Sequence, residues 1–284
     1  MVQQTNFGGL PKEYSALKNA KVVIIPVPYD ATSTWIKGAD KGPEAIIQAS
    51  ANMELYDIET DSEVYQKGIF TDKPIKELSS PGKMVNAVEQ RVRRHIEKDK
   101  FTVIIGGEHS VSIGSAMAYA RKYPGLTVLQ LDAHSDLRDR YNGSKYNHAC
   151  AMARIKESAA IVQVGIRSMD SSEKNSFDRN SIFFAEDIYN NKDWIEKVVS
   201  GLSDKVYITI DLDVFDPSIM PSTGTPEPGG LFWYDVLALL RMVSVSKNIV
   251  GFDVVELCPN ENNKAPDFLA AKLIYKLLSY KFRK

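Results

Sequence analysis

The feature that most constrains this chain is an apolar run that ends in a cluster of metal-seeking side chains. Residues 126–131 have the composition of a buried strand, and Asp132, His134 and Asp136 follow it at alternate positions. In an extended backbone, alternate residues point to the same face. We therefore predict that these three side chains project together from the end of a strand.

The same arrangement recurs twice. Residues 206–210 run into Asp211 and Asp213, and residues 102–105 run through two glycines into His109. In open parallel sheets, ligands bind in the crevice beyond the carboxyl ends of the strands. We therefore predict that three strand ends bring six metal donors to one place: His109, Asp132, His134, Asp136, Asp211 and Asp213.

Strand-like and helix-like segments alternate along the chain. The pattern predicts strands near residues 21–25, 102–105, 127–131, 161–164, 182–184, 206–210 and 249–254, and helices near 43–51, 84–98, 113–122, 192–201, 231–245 and 266–281. Such alternation predicts a mostly parallel sheet covered on both faces, a three-layer α/β/α fold. Because no segment resembles a linker, residues 1–284 are expected to form a single domain.

Charge sets how many metal ions the predicted site can hold. The four aspartates carry one negative charge each, and a single divalent ion would leave about −2 in a crevice where unpaired charge is costly. Two divalent ions and a bridging hydroxide bring the sum close to neutral. The donors are mostly hard oxygens, which favours Mn²⁺ or Mg²⁺ over thiolate-bound Zn²⁺. We therefore expect two manganese ions.

Each motif taken alone has an ordinary structural explanation. An Asp-x-His or Asp-x-Asp sequence after a strand is more often a helix cap, a turn or a solvated loop. Their joint occurrence favours a metal site, because two of the four histidines fall beside acidic clusters at strand ends. His95, in contrast, lies in a charged helical pattern, and we expect it on an exposed helix face without a chemical role.

Composition argues against several other classes of protein. A net charge of −1 gives no general attraction to nucleic acid or to membrane surfaces, and no apolar stretch is long enough for a transmembrane helix. Cys150 and Cys258 lack a Cys-x-x-Cys spacing, which favours reduced thiols in a cytoplasmic protein. Cys150 lies near His148 in the sequence, but no other base supports it as a nucleophile.

Three motifs together resemble those of the ureohydrolases, the manganese enzymes that include arginase and agmatinase. These motifs are residues 106–110, 132–136 and 210–217. Shorter matches in the expected order extend the resemblance over nearly the whole chain, at residues 27–30, 42–46, 165–168, 223–226 and 251–256. Glu108 departs from the aspartate that the family commonly carries, but this position is not a ligand. The resemblance implies an arginase/deacetylase-like α/β/α fold.

The resemblance also implies a role for each predicted ligand. One ion would be held by His109, Asp132, Asp136 and Asp211, and the other by Asp132, His134, Asp211 and Asp213. Asp132 and Asp211 would then bridge both ions. Metal coordination lowers the pKa of water from about 15.7 to near 7, so a hydroxide held between the ions would attack the guanidinium carbon of the substrate.

Two further residues match family positions with catalytic and binding roles. His148 matches a histidine thought to shuttle protons near the departing amine, a task suited to an imidazole that titrates near about pH 6.5. Glu256 matches the carboxylate that grips the substrate guanidinium, from which it can accept two parallel hydrogen bonds. Without the resemblance, His148 would be an ordinary loop histidine and Glu256 an exposed acid at a strand end.

The segment between Asp136 and His148 determines the expected substrate. The serine- and asparagine-bearing pattern with which arginases hold the α-carboxylate and α-amino group of arginine is absent from it, so the segment resembles that of agmatinases. We therefore expect hydrolysis of agmatine to putrescine and urea, with arginase or guanidinobutyrase activity as the alternative. The family also implies a homo-oligomer, a trimer or a hexamer.

Two hypotheses of other classes remain open. The chain could be a catalytically silent metal-binding subunit, although all six predicted ligands and Glu256 are intact. It could also be a zinc deacetylase on a related fold, but such an enzyme needs the ligands of a single metal. Urea release tests the first alternative, and metal stoichiometry tests the second.

Overall fold

Parallel strands form the centre of the structure, a computed structural model that describes residues 6–283. Within that range the strands are β1 (Val22–Val27), β2 (Ile69–Thr71), β3 (Phe101–Gly106), β4 (Thr127–Leu131), β5 (Ala160–Ile166), β6 (Ile182–Phe184), β7 (Lys205–Asp211) and β8 (Asn248–Val255). They join in the order β2-β1-β3-β8-β7-β4-β5-β6, and every pairing is parallel. A parallel sheet must be covered on both faces, which agrees with the almost continuous burial of its central strands.

Helices cover both faces of this sheet. They are α1 (Lys12–Ser15), α2 (Gly42–Ser50), α3 (Pro81–Ile96), α4 (Val111–Lys122), α5 (Ala151–Ile155), α6 (Ala185–Asn190), α7 (Trp194–Ser200), α8 (Trp233–Ser246) and α9 (Ala265–Lys281). Helices α3, α4 and α5 pack in the apolar core on one face, and α2 and α6 to α9 pack in the core on the other. The predicted α/β/α fold is confirmed. No α-helix in the described range is long and apolar enough to span a bilayer.

Helix α3 illustrates how the sequence builds one of these layers. Ser80 caps its first turn by accepting a hydrogen bond from the backbone N–H of Lys83, and Pro81 occupies the first helical position. Its buried apolar side chains lie three or four residues apart and include Val85, Val88 and Val92. Burying each of them contributes about 1.5–3 kcal/mol. A side chain at Gly114 of α4 would collide with the backbone of α3, so this glycine permits the two helices to pack closely.

The expectation that His95 lies on an exposed helix face is wrong. This residue is buried at the end of α3, and its Nε2 lies 2.8 Å from Asp72 Oδ2. Asp72 directly follows β2, a strand of three residues that the sequence pattern did not predict. The helical periodicity predicted α3 correctly, but it could not reveal that Asp72 and β2 cover this part of the helix surface.

Candidate functional site

Four neighbouring strands at the centre of the sheet, β3, β8, β7 and β4, end side by side. His109 follows β3, Glu256 follows β8, Asp211 ends β7 and Asp132 follows β4. All four strands run in the same direction, so these residues lie at one edge of the sheet. The structure therefore brings the residues of the three motifs together.

The first cluster of donors surrounds His109. Its Nδ1 atom lies 3.0 Å from Asp132 Oδ2, 3.1 Å from Asp136 Oδ2 and 3.5 Å from Asp211 Oδ2. Although it is buried, this nitrogen has no hydrogen-bond partner among the described residues. The other ring nitrogen, Nε2, lies 2.9 Å from Thr209 Oγ1. A buried, unpaired ring nitrogen that faces three carboxylates fits a metal ion, because the lone pair of imidazole is a metal donor.

The second cluster lies beside the first and shares a residue with it. His134 Nδ1 is 2.9 Å from Asp213 Oδ2 and 3.7 Å from Asp132 Oδ1. Donor atoms of Asp132, His134 and Asp213 all lie within 4.8 Å of one another, as do those of His109, Asp132 and Asp211. The arrangement therefore offers two adjacent cation positions with one carboxylate between them.

The carboxylates raise the pKa of both imidazoles. Burial opposes protonation, but Asp132 and Asp136 raise the pKa of His109 well above its usual value. Burial also opposes protonation of His134, whereas the charges of Asp213 and Asp132 raise its pKa to about 12. Burial raises the pKa of Asp136 to about 7. The field that attracts these protons equally favours divalent cations, which would displace them.

Two of the expected site residues have a backbone conformation that is rare outside glycine. The φ angle is 52° at Asp136 and 67° at Glu256. Such residues cost about 1–3 kcal/mol each and persist where their surroundings hold them. The N–H of Glu256 donates to the carbonyl of Gly107 over 2.7 Å, and the carbonyl of Asp136 accepts from Ala153 over 3.1 Å. Both side chains line the same cavity.

Gly107 and Glu108 bind the end of β3 to the loop after β1. A side chain at Gly107 would lie 2.0 Å from the carbonyl oxygen of Tyr29, so only glycine permits this approach. Glu108 is buried, and its carboxylate accepts hydrogen bonds from the backbone N–H and the hydroxyl of Thr32, each over 2.6 Å, and from the Ser110 hydroxyl. Sequence reasoning did not single out Thr32, whose position follows the family-like segment 27–30.

His148 lies on the wall of the cavity, next to Thr32. Its backbone N–H donates to Thr32 Oγ1 over 3.1 Å, and its Nδ1 lies 3.4 Å from the same oxygen. Burial lowers the pKa of His148 to about 4, so the imidazole is neutral at pH 7. This pKa is well below the value of about 6.5 that an unperturbed imidazole has. Cys150 is buried nearby, and burial raises the pKa of its thiol to about 11, which agrees with our rejection of a cysteine nucleophile.

The cavity has a volume of about 300 Å³, and carboxylates outnumber cations along its wall. Arg138 is its one lysine or arginine among residues 6–283. The guanidinium of Arg138 lies 3.6 Å from Asp170 Oδ2 and 3.5 Å from Glu173 Oε1, and it stacks on the ring of Tyr141 at 4.5 Å. Since Arg138 is already paired, the cavity suits a positively charged ligand.

A second residue whose role sequence reasoning missed is Arg167, in the motif 165–168. Its guanidinium donates to the backbone carbonyls of Asp213 over 2.6 Å, Glu227 over 2.9 Å and Pro228 over 3.0 Å. It thereby fastens the proline-rich segment 216–230 to the end of β5 and supports the backbone that carries Asp213. The family-like motif drew attention to the position, but only the fold shows which carbonyls it binds.

The profile of the arginase family matches residues 20–279. The chain belongs to the arginase family. It is 36% identical to N(1)-aminopropylagmatine ureohydrolase of Synechocystis sp., over 99% of this chain and 97% of that protein. It is 32% identical to the agmatinase of Pyrococcus horikoshii, with 94% of each chain covered. The crystal structure of agmatine ureohydrolase of Thermoplasma volcanium superimposes with a TM-score of 0.89 at 30% identity, covering 100% of this chain and 96% of that one.

Membership of the arginase family confirms the resemblance that the three motifs indicated. The structural match to the Thermoplasma protein confirms the fold along the whole length of this chain. The protein is therefore an arginase-family hydrolase, and two His/Asp clusters suited to metal ions contribute residues to the wall of its cavity.

Proposed function

We propose that this arginase-family protein is a ureohydrolase that uses two manganese ions to cleave the guanidinium group of agmatine, giving putrescine and urea. The observation that carries the proposal is the meeting of two His/Asp clusters with Glu256 at one negatively charged cavity. Agmatine is a small cation with a guanidinium at one end and an ammonium at the other. Its charge therefore matches the cavity.

Two sets of ligands follow from the clusters. We assign His109, Asp132, Asp136 and Asp211 to one ion, and Asp132, His134, Asp211 and Asp213 to the other. The short distances to His109 Nδ1 and His134 Nδ1 support these sets, and the preponderance of carboxylate oxygens supports Mn²⁺. When bound, the ions would make water nucleophilic at neutral pH.

The remaining roles belong to Glu256 and His148. Glu256 Oε1 accepts a hydrogen bond from the backbone N–H of His109 over 2.7 Å, which fixes the carboxylate at the cavity wall. A carboxylate held in this way would bind the planar guanidinium through charge-assisted hydrogen bonds. His148 is neutral at pH 7 and would carry a proton to the departing amine.

The ion pairs of Arg138 favour agmatine over arginine as the substrate. An α-carboxylate needs a donor or a cation, and Arg138, the one arginine or lysine that lines this cavity among residues 6–283, is already paired with Asp170 and Glu173. An unpaired carboxylate beside aspartates would cost about 2–5 kcal/mol. We expect kcat/KM for agmatine to exceed that for arginine by at least about thirtyfold, which corresponds to about 2 kcal/mol.

N(1)-aminopropylagmatine is a second candidate substrate. The relatives from Synechocystis sp. and Thermus thermophilus that carry this substrate in their names are 36% and 35% identical to the chain. This polyamine has a second ammonium group, which needs an additional anionic partner. Asp170 lines the cavity and Glu227 lies 3.8 Å from His134 Nε2, and both carboxylates are partly exposed. Either could receive such a group.

Urea release from purified, manganese-loaded protein tests the proposal. Agmatine, N(1)-aminopropylagmatine, arginine, guanidinobutyrate and guanidinopropionate would be compared at equal concentrations, with chelator-treated protein as the control. We expect urea from agmatine or its aminopropyl derivative, and two metal ions per chain by elemental analysis. If no guanidino compound gives urea, the protein is a silent metal-binding subunit. A single tightly bound ion would favour deacetylase chemistry instead.

A further inference from the structure

Thr32 joins three separate parts of the structure at one hydroxyl group. Its Oγ1 lies 2.6 Å from Glu108 Oε1, 3.1 Å from the backbone nitrogen of His148 and 3.4 Å from His148 Nδ1. Thr32 lies after β1, Glu108 after β3 and His148 before α5. The hydroxyl therefore connects a buried carboxylate to a histidine on the cavity wall.

A count of hydrogen-bonding groups determines which atom donates. A threonine hydroxyl has one proton and two lone pairs, and an ionised carboxylate only accepts. Burial raises the pKa of Glu108, but the hydrogen bonds from Ser110 and Thr32 oppose this shift because they stabilise the ionised carboxylate. Glu108 also accepts from the Thr32 backbone N–H and from the Ser110 hydroxyl, so each of its known partners is a donor. The Thr32 proton therefore points to Glu108. The two lone pairs remain for the two nitrogens of His148, its backbone N–H and its Nδ1.

Because the Thr32 hydroxyl uses its one proton in the hydrogen bond to Glu108, it can only accept a hydrogen bond from His148 Nδ1. We propose that Thr32, anchored by Glu108, holds His148 in the tautomer with its proton on Nδ1 and leaves Nε2 to exchange protons in the cavity. Thr32 is thus a positioning residue, since it acts through His148. The catalytic meaning of this arrangement rests on the ureohydrolase function proposed above.

The contact with Thr32 matters because His148 is neutral at pH 7, where its one ring proton can lie on either nitrogen. A histidine that is neutral at pH 7 has two tautomers, and only the one with a bare Nε2 can take up a proton at that nitrogen. The edge-to-face contact between the rings of Tyr141 and His148, with centroids 6.1 Å apart, restricts the ring but selects neither tautomer. Within the described structure, the contact that distinguishes the two ring nitrogens is the one to Thr32.

Two substitutions at this position separate positioning from support of the loop. Thr32→Val has nearly the same shape and keeps the backbone N–H that binds Glu108, but it lacks the hydroxyl. Thr32→Ser keeps the hydroxyl and loses only a methyl group. If Thr32 merely stabilises the loop, Thr32→Val should lower the melting temperature and leave the tautomer of His148 unchanged.

The decisive measurement is nitrogen NMR of the full-length chain labelled with ¹⁵N-histidine and loaded with Zn²⁺, a diamagnetic ion. The chain has four histidines, so His148→Asn identifies the signals of His148. We expect the proton on Nδ1 in the wild type and in Thr32→Ser, and a shift toward the Nε2 tautomer in Thr32→Val. A wild-type proton on Nε2, or an unchanged tautomer in Thr32→Val, would overturn the proposal.

Steady-state kinetics on the manganese-loaded protein provide the second readout. We expect Thr32→Val to lower kcat by about ten- to a hundredfold with little change in KM, and Thr32→Ser to restore most of the rate. An unchanged kcat in Thr32→Val would overturn the positioning role. If the wild type releases no urea from any guanidino compound, the proposed function fails, while the NMR result still decides the tautomer.

Discussion

The backbone N–H of His109 donates a 2.7 Å hydrogen bond to Glu256 Oε1. A proposed metal ligand and the proposed guanidinium-binding carboxylate are thus joined directly, although they lie 147 positions apart in the chain. The reverse connection also exists, because the N–H of Glu256 donates to the carbonyl of Gly107. The ends of β3 and β8 therefore hold the proposed metal site and the proposed substrate site in a fixed relation.

Glu256→Gln should lower kcat/KM for every guanidino substrate by a similar factor, since the proposed role of this carboxylate involves only the guanidinium that these substrates share. We expect kcat/KM to fall by about a hundredfold or more for agmatine and for its aminopropyl derivative. Metal content, measured on the same preparations, should stay at the wild-type value. A loss confined to one substrate would contradict the role of Glu256.

Asp132→Asn and Asp211→Asn should disrupt the metal centre. Asp132 belongs to both donor clusters, and Asp211 to the cluster around His109. We expect fewer than two ions per chain and at least about a hundredfold lower turnover. Asp187→Asn is a matched control, because this exposed aspartate pairs with Arg179 on the surface and with no other residue in the range 6–283. Two tightly bound ions and a near-normal rate in Asp211→Asn would refute our ligand sets.

Manganese affinity should rise with pH. The carboxylates raise the pKa of His134 to about 12 and that of His109 well above its usual value, so they favour the protonated form of both rings before metal binds. A metal ion needs the neutral ring and must displace these protons. Calorimetric titration with Mn²⁺ in buffers of different ionisation enthalpy should show net proton release at pH 7. Equal manganese affinity at pH 6 and pH 8 would show that metal binding displaces no protons from His109 and His134.

The main parts of the site could be predicted from the sequence because they are local features of strands. Alternation in an extended backbone places Asp132, His134 and Asp136 on one side, and parallel strands deliver their ends to one edge. Contacts between distant segments could not be predicted in this way. Thr32 meets Glu108 across 76 positions and His148 across 116. The low pKa of His148 is likewise a consequence of burial, which depends on the packing of the whole cavity wall.

The pair Asp72 and His95 should contribute to stability except at low pH. Burial alone would raise the pKa of Asp72, but the hydrogen bond from His95 and the Arg91 guanidinium lower it to about 2. A carboxyl group whose folded-state pKa is depressed stabilises the protein above its unfolded pKa of about 4, and this contribution is lost as the pH falls toward 2. Asp72→Asn should therefore lower the free energy of unfolding by about 1–2 kcal/mol at pH 7. Urea denaturation at pH 7 and pH 3 should show a smaller difference at the lower pH, and an equal difference would exclude the ionised carboxylate of Asp72 as the cause.

Arg167→Lys should loosen the loop that carries Asp213, although it preserves the charge. The guanidinium of Arg167 reaches backbone carbonyls on both sides of the loop, including those of Asp213 and Glu227, whereas a lysine ammonium is a single point that cannot span them. We expect a loss of about 1–3 kcal/mol in stability, because the carbonyls that Arg167 binds would lose their donor. The second metal position should weaken more than the first, since Asp213 belongs only to the cluster of His134. Stepwise manganese titration, with exposed Arg179→Lys as the matched control, would measure this. Equal weakening of both positions would show that Arg167 stabilises the fold without any particular effect on Asp213.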